Sequence, residues 1–217
     1  MSFLQTFQVF PSIPESISFL QVLARNLWWC WHIDAIELFR RISPRLWEDS
    51  GRNPIVFLTL ISQERLKELS KDESFLAHQQ RVEERFVNDL ASEDSSEASN
   101  GKKKTIAYFS MEFGIHESVP LFAGGLGVLA GDHLKAASDL TLPLIGVGLL
   151  YRYGYFHQFL DHEGWQQEEY PETDIYRLPV KRVKDRSGNE LNISVTGPEG
   201  EIRALVWEIM VLSLIHI

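Results

Sequence analysis

The sequence predicts an α/β fold, in which a small helical unit leads into the beginning of a parallel sheet with a β-meander attached. Apolar residues Ile17, Leu20, Ala24, Leu27, Trp31, Ala35, Leu38 and Ile42 recur at three and four positions, the period of one helix face. After residue 104 the pattern changes to compact apolar runs around a Gly-rich turn, at 105–110, 124–127 and 142–150. That order is a βαβ unit, hence a parallel sheet with a right-handed crossover. With 217 residues, 44% of them hydrophobic, the chain can bury a real core.

The first helix is expected to run from Pro14, which suits a first turn, to Ser43-Pro44, where proline stops it. A second periodic stretch follows Asn53-Pro54 with Val56, Phe57, Leu60 and Ile61, and a third holds Phe75, Gln79, Val82, Phe86 and Leu90. Residues 1–90 thus read as a helical N-terminal extension. Residues 91–104 contain no large apolar side chain beyond alanine and cannot repay the entropy of ordering, so they read as a linker. Thr105 to Ser110 is β-branched and aromatic, a buried strand. Leu126, Leu129, Leu134, Ala137 and Leu140 make the crossover helix, and Leu142 to Leu150 the next strand. Arg177 to Val183, Leu191 to Thr196 and Ile202 to Val211, separated by Ser-Gly-Asn and Gly-Pro-Glu-Gly turns, complete the meander of 105–211.

Composition narrows the function classes. The formal charge is −9, and residues 105–217 hold 15 acids against 8 Lys and Arg, so no cationic stripe offers itself to nucleic acid. One cysteine, Cys30, excludes an internal disulfide framework; a reducing, cytoplasmic compartment fits. The longest apolar stretch, Leu140 to Tyr151, is interrupted by Pro143, Gly146 and Gly148 and is too short for a span of ~20 residues. No membrane partner is expected.

The strongest chemical feature is Gly124-Gly125-Leu126-Gly127. Glycines at a helix start let backbone N–H groups approach an anion, and the dipole adds roughly half a positive charge. The spacing is neither G-x-G-x-x-G nor a Walker loop, which disfavours nicotinamide and P-loop chemistry; tight helix–strand packing is the structural alternative. Cations are scarce: between Thr105 and Tyr176 stand Lys135 and Arg152 against ten carboxylates. His116, His133, His157 and His162, with Glu112, Asp132 and Asp161 nearby, lack zincin spacing, so no metal is expected. Glu168-Glu169 are adjacent on a strand and face opposite ways, a poor acid/base pair. Trp28, Trp29 and Trp31 are core filling at helical spacing or, alternatively, stacking platforms for sugar rings. Cys30 has no activating neighbour and reads as a small buried hydrophobe.

The runs Tyr108-Phe109-Ser110-Met111-Glu112-Phe113-Gly114, Ala123 to Asp132, Tyr151 to Gln158 and Gly164-Trp165-Gln166 together resemble the N-terminal part of glycogen (α-glucan) phosphorylases. The tract from Asn26 to Phe86, with Asn26-Leu27-Trp28-Trp29, is similar to the helical extension of the bacterial short-type branch. The likeness covers roughly residues 25 to 211. It implies the start of the N-terminal, Rossmann-like lobe of a GT-B glycosyltransferase. The implied reaction is attack of inorganic phosphate on the non-reducing end of an α-1,4-glucan, giving glucose 1-phosphate. It further implies pyridoxal 5′-phosphate, whose phosphate group exchanges protons with the substrate phosphate.

By the same resemblance, Gly124, Gly125, Leu126 and Gly127 face the substrate and cofactor phosphates, and Tyr108 lies in the segment approaching the cofactor. Ala123 departs from an Asn in many relatives, removing a side-chain contact but no backbone amide. The family's cofactor lysine and its phosphate-binding Arg and Lys belong to the second lobe, and Lys135 is no substitute. The chain alone is therefore expected to hold no catalytic residue and to be an inactive, truncated fragment, with its missing lobe as partner and a homo-oligomer compatible with the whole protein. Residues 212–217 depart from the family's Gly-Arg-Val continuation and read as a non-native tail. A glycogen or starch synthase relationship is the alternative enzyme reading, but its Lys-x-Gly-Gly-Leu-Gly start is not matched. A non-catalytic glucan-binding fragment using Trp28, Trp29 or Trp31 is the non-enzyme alternative.

Overall fold

The computed structural model describes residues 10–94, 105–198, 200–211 and 214–216. Six α-helices precede the sheet: α1 Phe19–Arg25, α2 Ile33–Ile42, α3 Pro44–Asp49, α4 Pro54–Leu60, α5 Gln63–Leu69 and α6 Glu73–Asp94. Prolines stand at the first turns of α3 and α4, behind Ser43 and Asn53, whose side chains accept from Leu46 N–H and from Ile55 and Val56 N–H. Those caps satisfy amides that a helix start leaves unpaired.

The single helix expected across 17–42 is broken twice, at Asn26 (φ −115°, ψ 119°) and His32 (φ −106°, ψ 104°), with a 3-10 turn over Leu27–Trp31 between them. Asn26 causes the first break. Its Oδ1 accepts the Trp28 N–H at 2.9 Å, a local bond that competes with helix, and its backbone bridges in parallel to Met210. A continuous helix would turn adjacent residues about 100° apart; the break buries Leu27, Trp28 and Trp29 together. The rings of Trp29, Phe39, Trp47 and Phe57 then assemble, with Phe39 stacked on Trp47 at 5.2 Å and Trp47 edge-on to Phe57 at 5.4 Å.

The expected βαβ unit is present, although β1, expected to be buried, is largely exposed. β1 Ile106–Phe109, α7 Gly125–Asp139 and β2 Leu144–Val147 follow in order, and β1 pairs parallel with β2 from Ile106↔Leu144 to Phe109↔Val147. The exposed hairpin of β3 His157–Leu160 and β4 Gln166–Glu169 was not foreseen. Its turn signal is Asp161, which accepts from Glu163 and Trp165 N–H, followed by Gly164 at φ +85°.

The expected meander needs correction. β5 Val180–Arg182 pairs antiparallel with β8 Trp207–Val211, while β6 Asn192–Gly197 and β7 Gly200–Leu205 pair only with each other, as a hairpin inserted between them. The hairpin's residues are nearly all exposed, so no core face draws it into the main sheet. Residues 214–216, in the stretch read as a tail, form β9 between β2 and β8; residues 212, 213 and 217 lie outside the described residues. Ladder pairing uses backbone groups that every residue carries. The sheet order is β1-β2-β9-β8-β5.

The expected boundary at 91–104 does not divide the core. α6 runs on to Asp94, 95–104 lie outside the described residues, and Phe113, Ile115, Val119, Ala130, Leu134, Leu144 and Val211 belong to the same buried cluster as the helical unit. Among the described residues no helix is long and apolar enough to cross a membrane. The surfaces differ: the α/β part leaves Phe109, Met111, Leu149, Leu160 and Trp165 well exposed, a pattern that favours association.

Two predictions follow from this packing. Burial depresses the basicity of His32 and His116 below their ordinary value of 6.5, so the unfolded chain takes up protons that the folded one refuses. Stability from these groups is present above pH 6.5 and lost as pH falls. The thermal midpoint should drop between pH 7.5 and 5.5, and by less in His116→Asn; a midpoint flat over that range contradicts the assignment. Light scattering at rising concentration should show self-association, and a clean monomer throughout would refute the exposed-surface reading.

Candidate functional site

The site is built where the chain leaves β1, crosses over the start of α7 and returns into it. Ser110 turns the chain, its hydroxyl donating to Glu112 O at 2.8 Å. Gly114 then meets α7 backbone to backbone, its N–H donating to Gly127 O at 2.7 Å. α7 opens at Gly124, an extended cap residue (φ −170°, ψ −155°) with no side-chain cap. The first helical bond is Val128 N–H to Gly124 O, 3.2 Å, which leaves the amides of Gly125, Leu126 and Gly127 without helical acceptors.

The glycines divide into two roles. At Gly124 and Gly125 an added Cβ would meet nothing within 4 Å, and both residues, with Leu126, are exposed. At Gly127 it would strike Phe122 and stand 2.9 Å from the Glu112 carboxylate, and at Gly131 it would strike the Gly114 carbonyl. The packing alternative therefore describes Gly127 and Gly131. The open turn at Gly124, Gly125 and Leu126 is free to meet a ligand.

In the sequence Glu112 stands out only as one of the acids near the histidines. Its Oε2 accepts the Ala123 N–H at 3.2 Å, placing a carboxylate against the turn. No spacing signal reveals a contact made eleven residues away; the fold alone creates it. Neither cation of the region answers this charge. Lys135 Nζ lies 4.3 Å over the Trp31 ring and 3.8 Å from Asp132, and Arg152 Nε donates to Glu172 at 2.8 Å. The turn thus presents backbone amides without helical acceptors, with a carboxylate beside them.

The tryptophan proposal needs correction. Trp28 and Trp29 are each 1% exposed, so no sugar ring can reach their faces. Trp28 is covered by His32, stacked at 3.6 Å, and its Nε1 donates to Asp89; Trp29 is enclosed by Phe39, Trp47 and His116. Trp31 is half-buried beneath Lys135. Cys30 donates to Leu27 O, and burial pushes its thiol up to about 12, so it is unreactive. Tyr108 is half-buried on β1 between Phe113 and His133, 6.0 and 4.7 Å away. His133 and His116 are thus engaged with rings, whereas His157, His162, Glu168 and Glu169 lie on or beside the exposed hairpin.

A separate cavity of about 1000 Å³ opens at the carboxyl ends of β1 and β2, under the β6–β7 hairpin. Phe109, Met111, Val147, Leu149, Ile193 and Trp207 give it an apolar lining. Open α/β sheets place ligands outside these strand ends, but this lining does not suit phosphate, and Gly124–Gly127 do not line it.

A family model described as "Protein of unknown function (DUF3417)" matches residues 13–119, and one described as "Carbohydrate phosphorylase" matches residues 114–194. The chain is 41% identical over 216 residues to the glycogen phosphorylase of Mycobacterium tuberculosis H37Rv, covering 95% of this chain and 25% of that protein. It is 39% identical over 206 residues to the maltodextrin phosphorylase of Thermococcus litoralis, 94% of this chain and 25% of that one. To the glycogen phosphorylase of Aquifex aeolicus it is 39% identical over 189 residues, 87% and 27% respectively. The chain thus spans about a quarter of the length of these relatives.

The division among the glycines is measurable. Gly131→Ala drives a methyl into the Gly114 carbonyl and should cost about 1–3 kcal/mol of stability. Gly125→Ala adds a Cβ in open space to a helical residue and should leave stability unchanged or raise it by up to ~1 kcal/mol. Denaturant melts of the two variants check this, and equal losses would contradict it.

Proposed function

We propose, for a chain that belongs to the carbohydrate phosphorylase family, that it carries the glycine turn of an α-glucan phosphorylase, the enzyme that transfers a glucosyl unit from the non-reducing end of an α-1,4-glucan to phosphate. One observation carries the reading: exposed amides without helical acceptors at the mouth of a fifteen-residue helix, beside glycines that no neighbour requires. Backbone N–H groups in this arrangement hold phosphoryl oxygens without side-chain charge.

In the reaction a phosphate oxygen bonds to the anomeric carbon, the glycosidic C–O bond breaks, and the proton carried by the phosphate passes to the departing oxygen, giving glucose 1-phosphate and a glucan one unit shorter. The residues of this chain bind and orient. Gly125 and Leu126, the exposed residues of the turn, donate amide hydrogen bonds to a phosphoryl group, while Gly127 is packed against Phe122 and Glu112 and holds the turn in place. Glu112, fixed by the Ala123 N–H, sets a negative wall that confines the dianion to the outer end of the turn. Tyr108, between Phe113 and His133, belongs to the segment that the resemblance brings toward the cofactor.

Pyridoxal phosphate fits these residues at its phosphate end only, because the described lysine nearest in sequence, Lys135, is occupied by Trp31 and Asp132. When bound, that cofactor supplies a phosphate group able to exchange a proton with the substrate phosphate. In this reading its lysine and the phosphate-binding cations come from the other three quarters of the relatives' length. The exposed apolar residues of the α/β part supply the surface against which that polypeptide packs.

Titrating inorganic phosphate into the ¹⁵N-labelled chain should give weak, saturable shifts at Gly125, Leu126 and Gly127. Gly125→Ala should abolish them. Glu112→Gln keeps an acceptor for Ala123, removes the like charge and should tighten binding several-fold. Glycogen and phosphate mixed with the chain alone should release no glucose 1-phosphate. Shifts confined to other residues, or weaker binding in Glu112→Gln, would overturn the assignment.

A further inference from the structure

Resting on the reading of Gly124–Gly127 as a phosphate turn, we propose that the N-terminal helical unit is a splint for that turn, acting through His116 as a positioning residue seated on Trp29. Trp29 is held on two sides by Phe39 and Trp47, with ring centroids 6.0 and 5.7 Å away. A further face meets the His116 ring at 4.6 Å and 69°. This joins the aromatic core of the helices to the segment that crosses α7.

His116 is fixed in turn by its own loop. Its Nδ1 accepts the Ser118 N–H at 3.1 Å, with the Ser118 hydroxyl at 2.9 Å, so the ring is neutral with its proton on Nε2. Val119, fully buried, returns its N–H to His116 O at 2.9 Å. Gly114, two residues upstream, is the donor to Gly127 O. Two residues span at most about 7 Å, so a displacement of His116 reaches the Gly127 carbonyl with little slack. On the far side Phe113 N–H closes the segment onto Leu121 O at 3.0 Å, and Glu112 ties it to Ala123.

A second strap acts independently. Lys135, eight residues after Gly127 and so about two turns along α7, lies over Trp31. Trp29 and Trp31 belong to the same 3-10 turn, so one short element grips both the mouth and the middle of α7. The two family models overlap at residues 114–119, the segment that carries His116. In this proposal the helical unit contributes rigidity to the turn.

Backbone NMR on the whole chain tests this without requiring activity. His116→Ala should speed amide exchange at Gly114 on the order of tenfold, as expected for losing one hydrogen bond's protection, and should shift Gly125, Leu126 and Gly127, while the amides of α5 keep their wild-type protection. His116→Phe, which keeps a ring on Trp29, should return Gly114 and the turn toward wild type. A mere loss of stability would instead raise exchange in α5 and Gly114 alike. If His116→Ala unfolds the chain, Lys135→Met cuts the strap on Trp31, with Asp132→Asn as the control for the ion pair it also loses, and should shift the Gly127 resonance where the control does not. Unchanged turn resonances in a folded His116→Ala, or no rescue by Phe, would overturn the splint. Absence of any phosphate response in the wild type would remove the phosphate reading and leave the splint to be decided by exchange.

Discussion

At the centre of this structure two backbones touch with no side chain between them. Gly114 lies on α7 closely enough that its N–H reaches the Gly127 carbonyl, and its own carbonyl occupies the space a side chain at Gly131 would need. Only glycine permits that approach. Because Gly114 follows the strand and precedes the loop that seats on Trp29, this crossing fixes the start of α7 relative to both the sheet and the helices. The hydrogen bond itself contributes only about 1 kcal/mol net. Its effect is geometric, since moving any of the three partners separates the other two.

The electrostatics of the turn follow from the same crossing. Bringing the 110–114 segment over the helix mouth also brings Glu112, whose carboxylate takes an amide and partly neutralises the positive end of the dipole. For an empty turn this is stabilising; for an arriving dianion it is repulsive. Lys135 and Arg152, the cations the sequence offers nearby, are spent on Trp31, Asp132 and Glu172. Under the proposed phosphate reading, a turn so arranged holds the anion tightly only when positive charge is added from outside it.

Local rules carried much of the sequence reading. The βαβ unit was legible because its strands are compact apolar runs and its crossover starts at glycines, and Pro54 marked the helical stretch that Asn53 caps, whereas Pro44, read as a stop, also opens α3 behind its Ser43 cap. What escaped depends on contacts distant in sequence. The apolar period runs unbroken through Asn26, so periodicity alone gives one long helix; the break appears only when Asn26 is seen bonding Trp28 and bridging Met210. β5 and β8 pair across an entire inserted hairpin, whereas a meander is the nearest-neighbour guess. Within the site, the glycine string was visible, but its division into open and packed positions was not, because Phe122, Glu112 and Gly114 are brought to Gly127 and Gly131 by folding. The tryptophan pair could be read either way until burial removed both faces.

The helical unit is commonly imagined as an appendage when a polar stretch follows it, and the charges and serines of 91–104 invite that view. The packing argues otherwise. Trp29 has His116 as one wall of its cage, Asn53 donates its amide to Arg177 O at 2.8 Å, and Asn26 pairs with Met210 on β8. These ties reach three separate parts of the α/β region. Removing the helices would strip His116 of its seat on Trp29 and split the buried cluster that Phe113, Ile115 and Val119 share with them. A truncated Trp29 side chain alone would cost roughly 3–5 kcal/mol, a large share of the 5–15 kcal/mol that holds a typical domain together. Among the described residues, helices and sheet therefore share one buried cluster.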